Sequence, residues 1–129
     1  SDHRFNDPVP LRLADPHPHP RGAGSFARVL SRYVRERKVL TLGAAIHKMS
    51  EISAARCRLA GRGQLRVGTM GDVVVFDPAT VADTATFADP FQYAVGITAV
   101  FVNGSMALLH GERGARTGRA VRVTADQNW

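Results

Sequence analysis

Near the start of this 129-residue chain stand four side chains whose types suit site chemistry: Asp2, His17, His19 and Arg21. Asp2 offers a carboxylate in a Ser-Asp pair, a dipeptide that also arises by chance. His17 and His19 lie one residue apart in a proline loop. Imidazoles at that spacing can share a metal ion, or they can simply build the loop or line a pocket. Arg21 carries a planar guanidinium fork that binds a carboxylate through two parallel hydrogen bonds. The bland alternative is a loop arginine paired with Asp7 or Asp15. Farther on, Cys57 sits between Arg56 and Arg58 in a helical pattern with no His or Asn beside it. A buried structural thiol is the expectation there. Asp72 opens an apolar run, where a carboxylate serves a backbone turn better than catalysis. Gly63, Gly68 and Gly71 precede no helix, so they make tight turns and not a phosphate loop. His47 in a helix and His110 in a strand are expected at the surface or in packing.

Several elements must position these groups. Residues 1 to 23 hold five of the seven prolines and read as an extended loop. A helix is expected over 25–37, capped by Ser25, with Phe26, Val29, Leu30, Tyr33 and Val34 as one apolar stripe and arginines opposite. Thr41 caps a second helix with Leu42, Ala45, Ile46 and Met49 inward. A third covers about 51–59 with Ile52, Ala55 and Leu59 inward, ended by Gly61 and Gly63. The period then changes. Asp72 to Phe76 is a continuous apolar run fit for a strand buried on both faces. Residues 78–96 read as an ordered loop. Ile97 to Val102 is a strand, Asn103-Gly104 a hairpin turn, Met106 to His110 the returning strand, and Ala120 to Val123 a fourth short strand. So few strands barely stand alone, so an apolar face around Val73, Val75 or Val100 is expected to remain uncovered by this chain.

An apolar content of 44% is enough for a core. The formal charge is +6, but the arginines are scattered and no aromatics interleave with them as a stacking surface needs. A solvated helix face is expected, and no nucleic-acid partner. No apolar run approaches the ~20 residues that cross a bilayer, and the first ten residues carry no apolar signal region, so no membrane partner is expected. One cysteine cannot form an intrachain disulfide, which points to a reducing, cytoplasmic setting.

Three segments resemble the N-acyl-D-amino-acid deacylases (D-aminoacylases) of the amidohydrolase superfamily. The first is His19-Pro20-Arg21 with Gly24-Ser25-Phe26-Ala27-Arg28-Val29-Leu30 to Arg35. The second is Leu65 to Pro78, a tail pattern shared by many amidohydrolases. The third is Asp77-Pro78-Ala79-Thr80-Val81-Ala82-Asp83-Thr84-Ala85-Thr86-Phe87, continuing through Pro90, Gln92-Tyr93, Gly96-Ile97 and Val102-Asn103-Gly104. The likeness runs from Asp2 to about Val123. It departs at Ala23, Ala27, Gly71, Phe91 and Ala94, where the family tends to carry an aromatic, proline, alanine, histidine and proline. Thr124 to Trp129 has no counterpart.

The resemblance implies an α+β fragment: the last helices of a (β/α)8 amidohydrolase barrel (residues 1–60, with the loop after strand eight), followed by the C-terminal strands of a small β-sandwich (residues 61–129). It implies a zinc-dependent hydrolase that cleaves N-acyl-D-amino acids to a D-amino acid and a carboxylate. The zinc ligands would lie upstream, so this chain alone would be inactive and none of its residues is a metal ligand. The opening on Ser1-Asp2 fits a piece of that larger protein, whose remaining barrel would cover the apolar faces. By the same resemblance, Asp2 is the catalytic general base, Arg21 holds the substrate's α-carboxylate, and His19 lines the substrate pocket. Two alternatives stay open: another amidohydrolase of the dihydropyrimidinase or hydantoinase kind, and a non-catalytic basic binding module.

Overall fold

The computed structural model describes residues 19–121. Asp2 and His17 therefore lie outside the described residues. The contacts divide the chain into two compact units: 19–40 with Asp77–Gly96, and Thr41–Phe76 with 97–121.

In the first unit a helix begins earlier than Ser25. Helix α1 covers Arg21–Arg28 and runs on without a break into a wider, π-helical stretch, Val29–Glu36. Pro20 is its N-cap, at φ −58° and ψ −15°. Proline's fixed φ already suits a helix start, so the chain turns helical directly after it. Ser25, expected as the cap, is instead one turn inside, where its hydroxyl donates to the Arg21 carbonyl at 2.7 Å. The inward face also differs from the expected stripe. Gly24, Ala27, Leu30 and Ser31 are buried, whereas Phe26 is 67% exposed. The helix thus presents mainly small residues to the loop Asp77–Gly96.

That loop is held by its own polar chemistry. Asp77 accepts hydrogen bonds from the Ala79 amide at 2.8 Å and the Thr80 hydroxyl at 2.9 Å. Both stabilise its anion, the Ala79 amide most, and hold the Asp77 carboxyl below the usual carboxylate range. Arg35, on the π-helical stretch, donates to the Pro78 and Val81 carbonyls at 3.1 and 2.7 Å, so this arginine staples the loop and is not merely a solvated charge. Ala82 pairs with Val95 as an isolated antiparallel bridge. Val81 and Ala85 are buried beneath.

The second unit carries α2 (Leu42–His47), a π-helical turn (Lys48–Ile52) and α3 (Ser53–Arg56) as one continuous helical run. Thr41 caps it as expected, its hydroxyl oxygen accepting from the Ala44 amide at 3.2 Å. No break separates the second and third expected helices. Ala45 and Ala54 are buried, while Ile52 is exposed. Cys57 is exposed, contrary to the expected buried thiol; it stands at the C-cap, just past the end of the helix at Arg56.

A four-stranded antiparallel sheet follows in simple order: β1 (Val73–Phe76), β2 (Ile97–Val102), β3 (Ser105–Leu109) and β4 (Glu112–Arg113). The Asn103-Gly104 turn has both residues at positive φ, 51° and 79°, the geometry expected of it. A second such turn joins β3 to β4. His110 (φ 46°) and Gly111 (φ 85°) are its central residues, with Leu109 opposite Glu112. His110 is thus a turn residue and not part of a strand. The fourth strand lies here and not at Ala120, since 120 and 121 are irregular. In β1, Val74 and Val75 are exposed and Val73 and Phe76 half-buried. Val75 meets the expectation of an uncovered apolar face, while Val73 and Val100 are half-buried. Among the described residues, nothing covers the run on both faces. Among the described residues no helix is long and apolar enough to cross a membrane.

Candidate functional site

The start of α1 and the loop 83–87, both in the first unit, enclose a cleft of about 510 Å³. His19, Arg21, Arg28, Asp83 and Phe87 supply its chemically distinctive walls. Two residues singled out from sequence, His19 and Arg21, therefore share one cavity.

His19 precedes the helix. Its Nδ1 accepts the Arg21 amide proton at 3.0 Å, so the neutral ring carries its own proton on Nε2. Its ring also meets Phe87 edge-on, with centroids 4.9 Å apart and planes 75° apart, a favoured aromatic geometry. The imidazole is thus oriented from two sides. The Gly22 amide donates to the His19 carbonyl at 3.1 Å, and the Gly24 amide to the Pro20 carbonyl at 3.0 Å. These bonds close the first turn around Arg21.

Arg21 is exposed, and among the described residues its guanidinium has no carboxylate partner. Arg28, two turns along the same helix, differs. Its Nη2 and Nε reach one oxygen of Asp83, at 2.6 and 2.7 Å. The Asp83 side chain is only 11% exposed, against 48% for Arg28. A carboxylate so withdrawn from water requires its partner. The hydrogen bond to Asp83, and then its charge, raise the Arg28 pKa above the ordinary arginine value.

Gly24 makes this approach feasible. A Cβ there would sit 3.1 Å from the Asp83 Cβ and 3.6 Å from that of Ala85. The local sequence Pro-Arg-Gly-Ala-Gly therefore does two things: it starts the helix and keeps its inner side thin enough for the loop.

The cleft can take up an anionic group, with Arg21 as its open cation among the described residues. Sequence reasoning left Arg28, Asp83 and Phe87 without site roles. Arg28 and Asp83 are 55 residues apart, so no local pattern links them. The one signal was that both fall in segments carrying the family resemblance. Asp72 is likewise settled as structural: its carboxylate accepts the Asn103 amide at 2.9 Å and pairs with Arg62. His47 pairs with Glu51 one turn on, at 2.9 Å. As for zinc, no three His, Cys, Asp or Glu side chains converge among the described residues, so these residues do not by themselves form a zinc site.

The amidohydrolase family pattern matches residues 5–107. The chain is 54% identical over 99 residues to the N-acyl-D-aspartate deacylase of Alcaligenes xylosoxydans xylosoxydans, covering 77% of this chain and 20% of that protein. It is 50% identical over 111 residues to the N-acyl-D-glutamate deacylase of the same organism, covering 86% and 23%. Among solved structures, the N-acyl-D-glutamate deacylase of Bordetella bronchiseptica, complexed with zinc and a phosphonate mimic of the tetrahedral intermediate, superposes with a TM-score of 0.78 at 45% identity, covering 85% of this chain and 23% of that chain. A crystal structure of D-aminoacylase superposes with a TM-score of 0.76 at 44% identity, covering 81% of this chain. The chain spans about a fifth of the length of the curated relatives it matches.

Proposed function

Because the chain belongs to the amidohydrolase family, we propose that it forms part of a zinc-dependent hydrolase that cleaves the amide bond of N-acyl-D-amino acids, releasing a D-amino acid and a carboxylate. The observation that carries this reading is the 50% identity with an N-acyl-D-glutamate deacylase over 111 residues, a stretch that covers most of the chain. The geometry agrees with it. The cleft offers a guanidinium to an anionic small molecule, and every N-acyl amino acid carries an α-carboxylate.

In this mechanism Arg21 binds the α-carboxylate through its planar fork, which fixes the substrate at one end. His19, oriented by the Arg21 amide and Phe87, lines the same pocket. Asp2 is the general base: it takes a proton from the attacking water and delivers it to the amide nitrogen as the C–N bond breaks. The water's oxygen remains on the acyl carbon, so the products balance as amine and carboxylate. Zinc supplies Lewis-acid activation in such hydrolases. Its ligands are proposed to lie upstream of this chain.

Residues 1–60 are proposed as the end of a (β/α)8 barrel, and residues 61–129 as the C-terminal strands of a small β-sandwich. The antiparallel sheet β1–β4 supports the second assignment and the helical run before residue 57 the first. Active sites of such barrels lie at the C-terminal ends of strands, which suits Asp2. A cytoplasmic location is part of the same proposal, and the single cysteine of this chain is in keeping with it.

The test is an assay of the full-length protein on N-acyl-D-amino acids, their L-enantiomers and cyclic amides, with and without a chelator. Chelator-sensitive hydrolysis confined to the D-series is the expected result. Turnover of cyclic amides in its place would transfer the chain to the dihydropyrimidinase-like branch.

A further inference from the structure

We infer that Asp83 is a positioning residue for carboxylate recognition in this cleft: by engaging Arg28 it leaves Arg21, among the described residues, as the open guanidinium that reads the substrate's carboxylate. The inference rests on the proposed role of Arg21 and extends it to a residue that touches no substrate. Arg21 and Arg28 lie seven residues apart on one helix, about 10 Å along its axis, and both line the cleft. A free guanidinium at each position would offer an incoming carboxylate two seats. One of the two would place the scissile amide wrongly. Binding of that kind is unproductive, because it occupies the site without reaching the transition state.

Asp83 removes the second seat. Two donors of Arg28 converge on one Asp83 oxygen, and the carboxylate is held almost out of solvent. Three further features keep it there. Gly24 gives it room against the helix. Ala85 and Val81 are buried on either side of it in sequence. Arg35 fastens the Val81 carbonyl from the same helix at 2.7 Å. The arrangement also places Phe87, four residues beyond, against His19. The charge balance of the described lining is simple: Asp83 cancels Arg28, and Arg21 remains.

The experiment uses the full-length protein and has two readouts. In the first, a brief exposure to phenylglyoxal, which reacts with unpaired guanidinium groups, is followed by mass mapping of the modified arginines. In the wild type Arg21 should react well ahead of Arg28. In Asp83→Asn the Arg28 rate should rise by about tenfold, since the paired anion is gone. Equal rates in the wild type, or an Arg28 rate unchanged in Asp83→Asn, overturn the inference. The second readout is kinetic, with N-acetyl-D-alanine as substrate. Asp83→Asn should lower kcat and KM together by about tenfold and leave kcat/KM nearly unchanged, because a second, unproductive seat ties up the enzyme without altering the productive path. The double variant Arg28→Gln/Asp83→Asn should recover kcat to within about threefold, because the competing guanidinium has been removed too. A double variant no better than the single one overturns the inference, since a purely structural clamp stays broken in both. Absence of deacylase activity in the wild type would sink the functional reading instead, and the arginine mapping would still decide whether Asp83 shields Arg28 and leaves Arg21 open.

Discussion

The Asn103 amide donates to Asp72 at 2.9 Å, fastening the turn between β2 and β3 to the residue that opens β1. Asp72 also pairs with Arg62, whose Nη2 donates to the Asn103 side-chain oxygen at 3.0 Å. The Asn103 side-chain nitrogen in turn donates to the Thr117 carbonyl at 2.7 Å. A single carboxylate therefore joins the helical run's exit to the sheet. Hydrogen bonds to charged groups contribute more than neutral ones. Asp72→Ala should destabilise the protein by about 1–2 kcal/mol, read as a lower urea midpoint with an unchanged slope. A variant as stable as the wild type would show the network to be ornamental.

Gly96 sits at φ 76°, and a Cβ added there would lie 2.4 Å from the Val81 nitrogen. Its carbonyl accepts the Asp77 amide at 2.9 Å. Backbone conformation and space thus both demand glycine at this position. Gly96→Ala should destabilise by at least ~2 kcal/mol, and thermal unfolding of the full-length protein checks it. Ala substitution at Gly118, where a Cβ would meet nothing within 4 Å, is the matched control and should change little.

The readable parts of the fold are those set by local chemistry. Asn103-Gly104 announced its turn because both residues tolerate positive φ. Thr41 announced its cap for an equally local reason. His110-Gly111 makes the same type of turn, yet His is far less diagnostic of it than Asn. The inward face of this helix differs from the expected stripe, because that expectation rests on large side chains such as Phe26 and Tyr33, which offer more apolar area to bury than Gly24 and Ala27. Packing chose the small residues instead, since the loop carrying Asp83 must come close. The π-helical stretches also leave no periodic mark, and they shift which side chains point inward. In the cleft, Arg21 and His19 were legible as a local motif. The Arg28–Asp83 pair was not, because it is a contact across 55 residues that exists only once the loop has folded back.

Asp77 gives the protein a predictable response to acid. Its ionised form is favoured by the Ala79 amide, the Thr80 hydroxyl and the Arg35 charge. Its folded pKa therefore lies below the unfolded one, so its contribution to stability is complete above the ordinary value of 3.8. That contribution is lost as pH falls through the folded value beneath it. Asp77→Asn should accordingly be less stable than the wild type near about pH 6, and the gap should narrow as the pH drops below about 4. Urea midpoints of both proteins across that range provide the measurement. A gap independent of pH would mean that the carboxylate's charge contributes nothing.

Arg21 should separate binding from chemistry. Its proposed partner, the α-carboxylate, keeps its charge through the reaction, so the contact is equally strong in the ground and transition states. Loss of such uniform binding raises KM and spares kcat. Arg21→Gln should raise KM for an N-acyl-D-amino acid by about 10–100-fold, because a charge-assisted bidentate pair is removed. Arg21→Lys should fall between, since an ammonium keeps the charge but not the fork. The decisive control is a substrate whose α-carboxylate is replaced by a carboxamide: with that compound the wild type and Arg21→Gln should perform alike. Should Arg21→Gln impair both substrates equally, the guanidinium would be supporting the start of α1 beside His19 and not recognising the carboxylate.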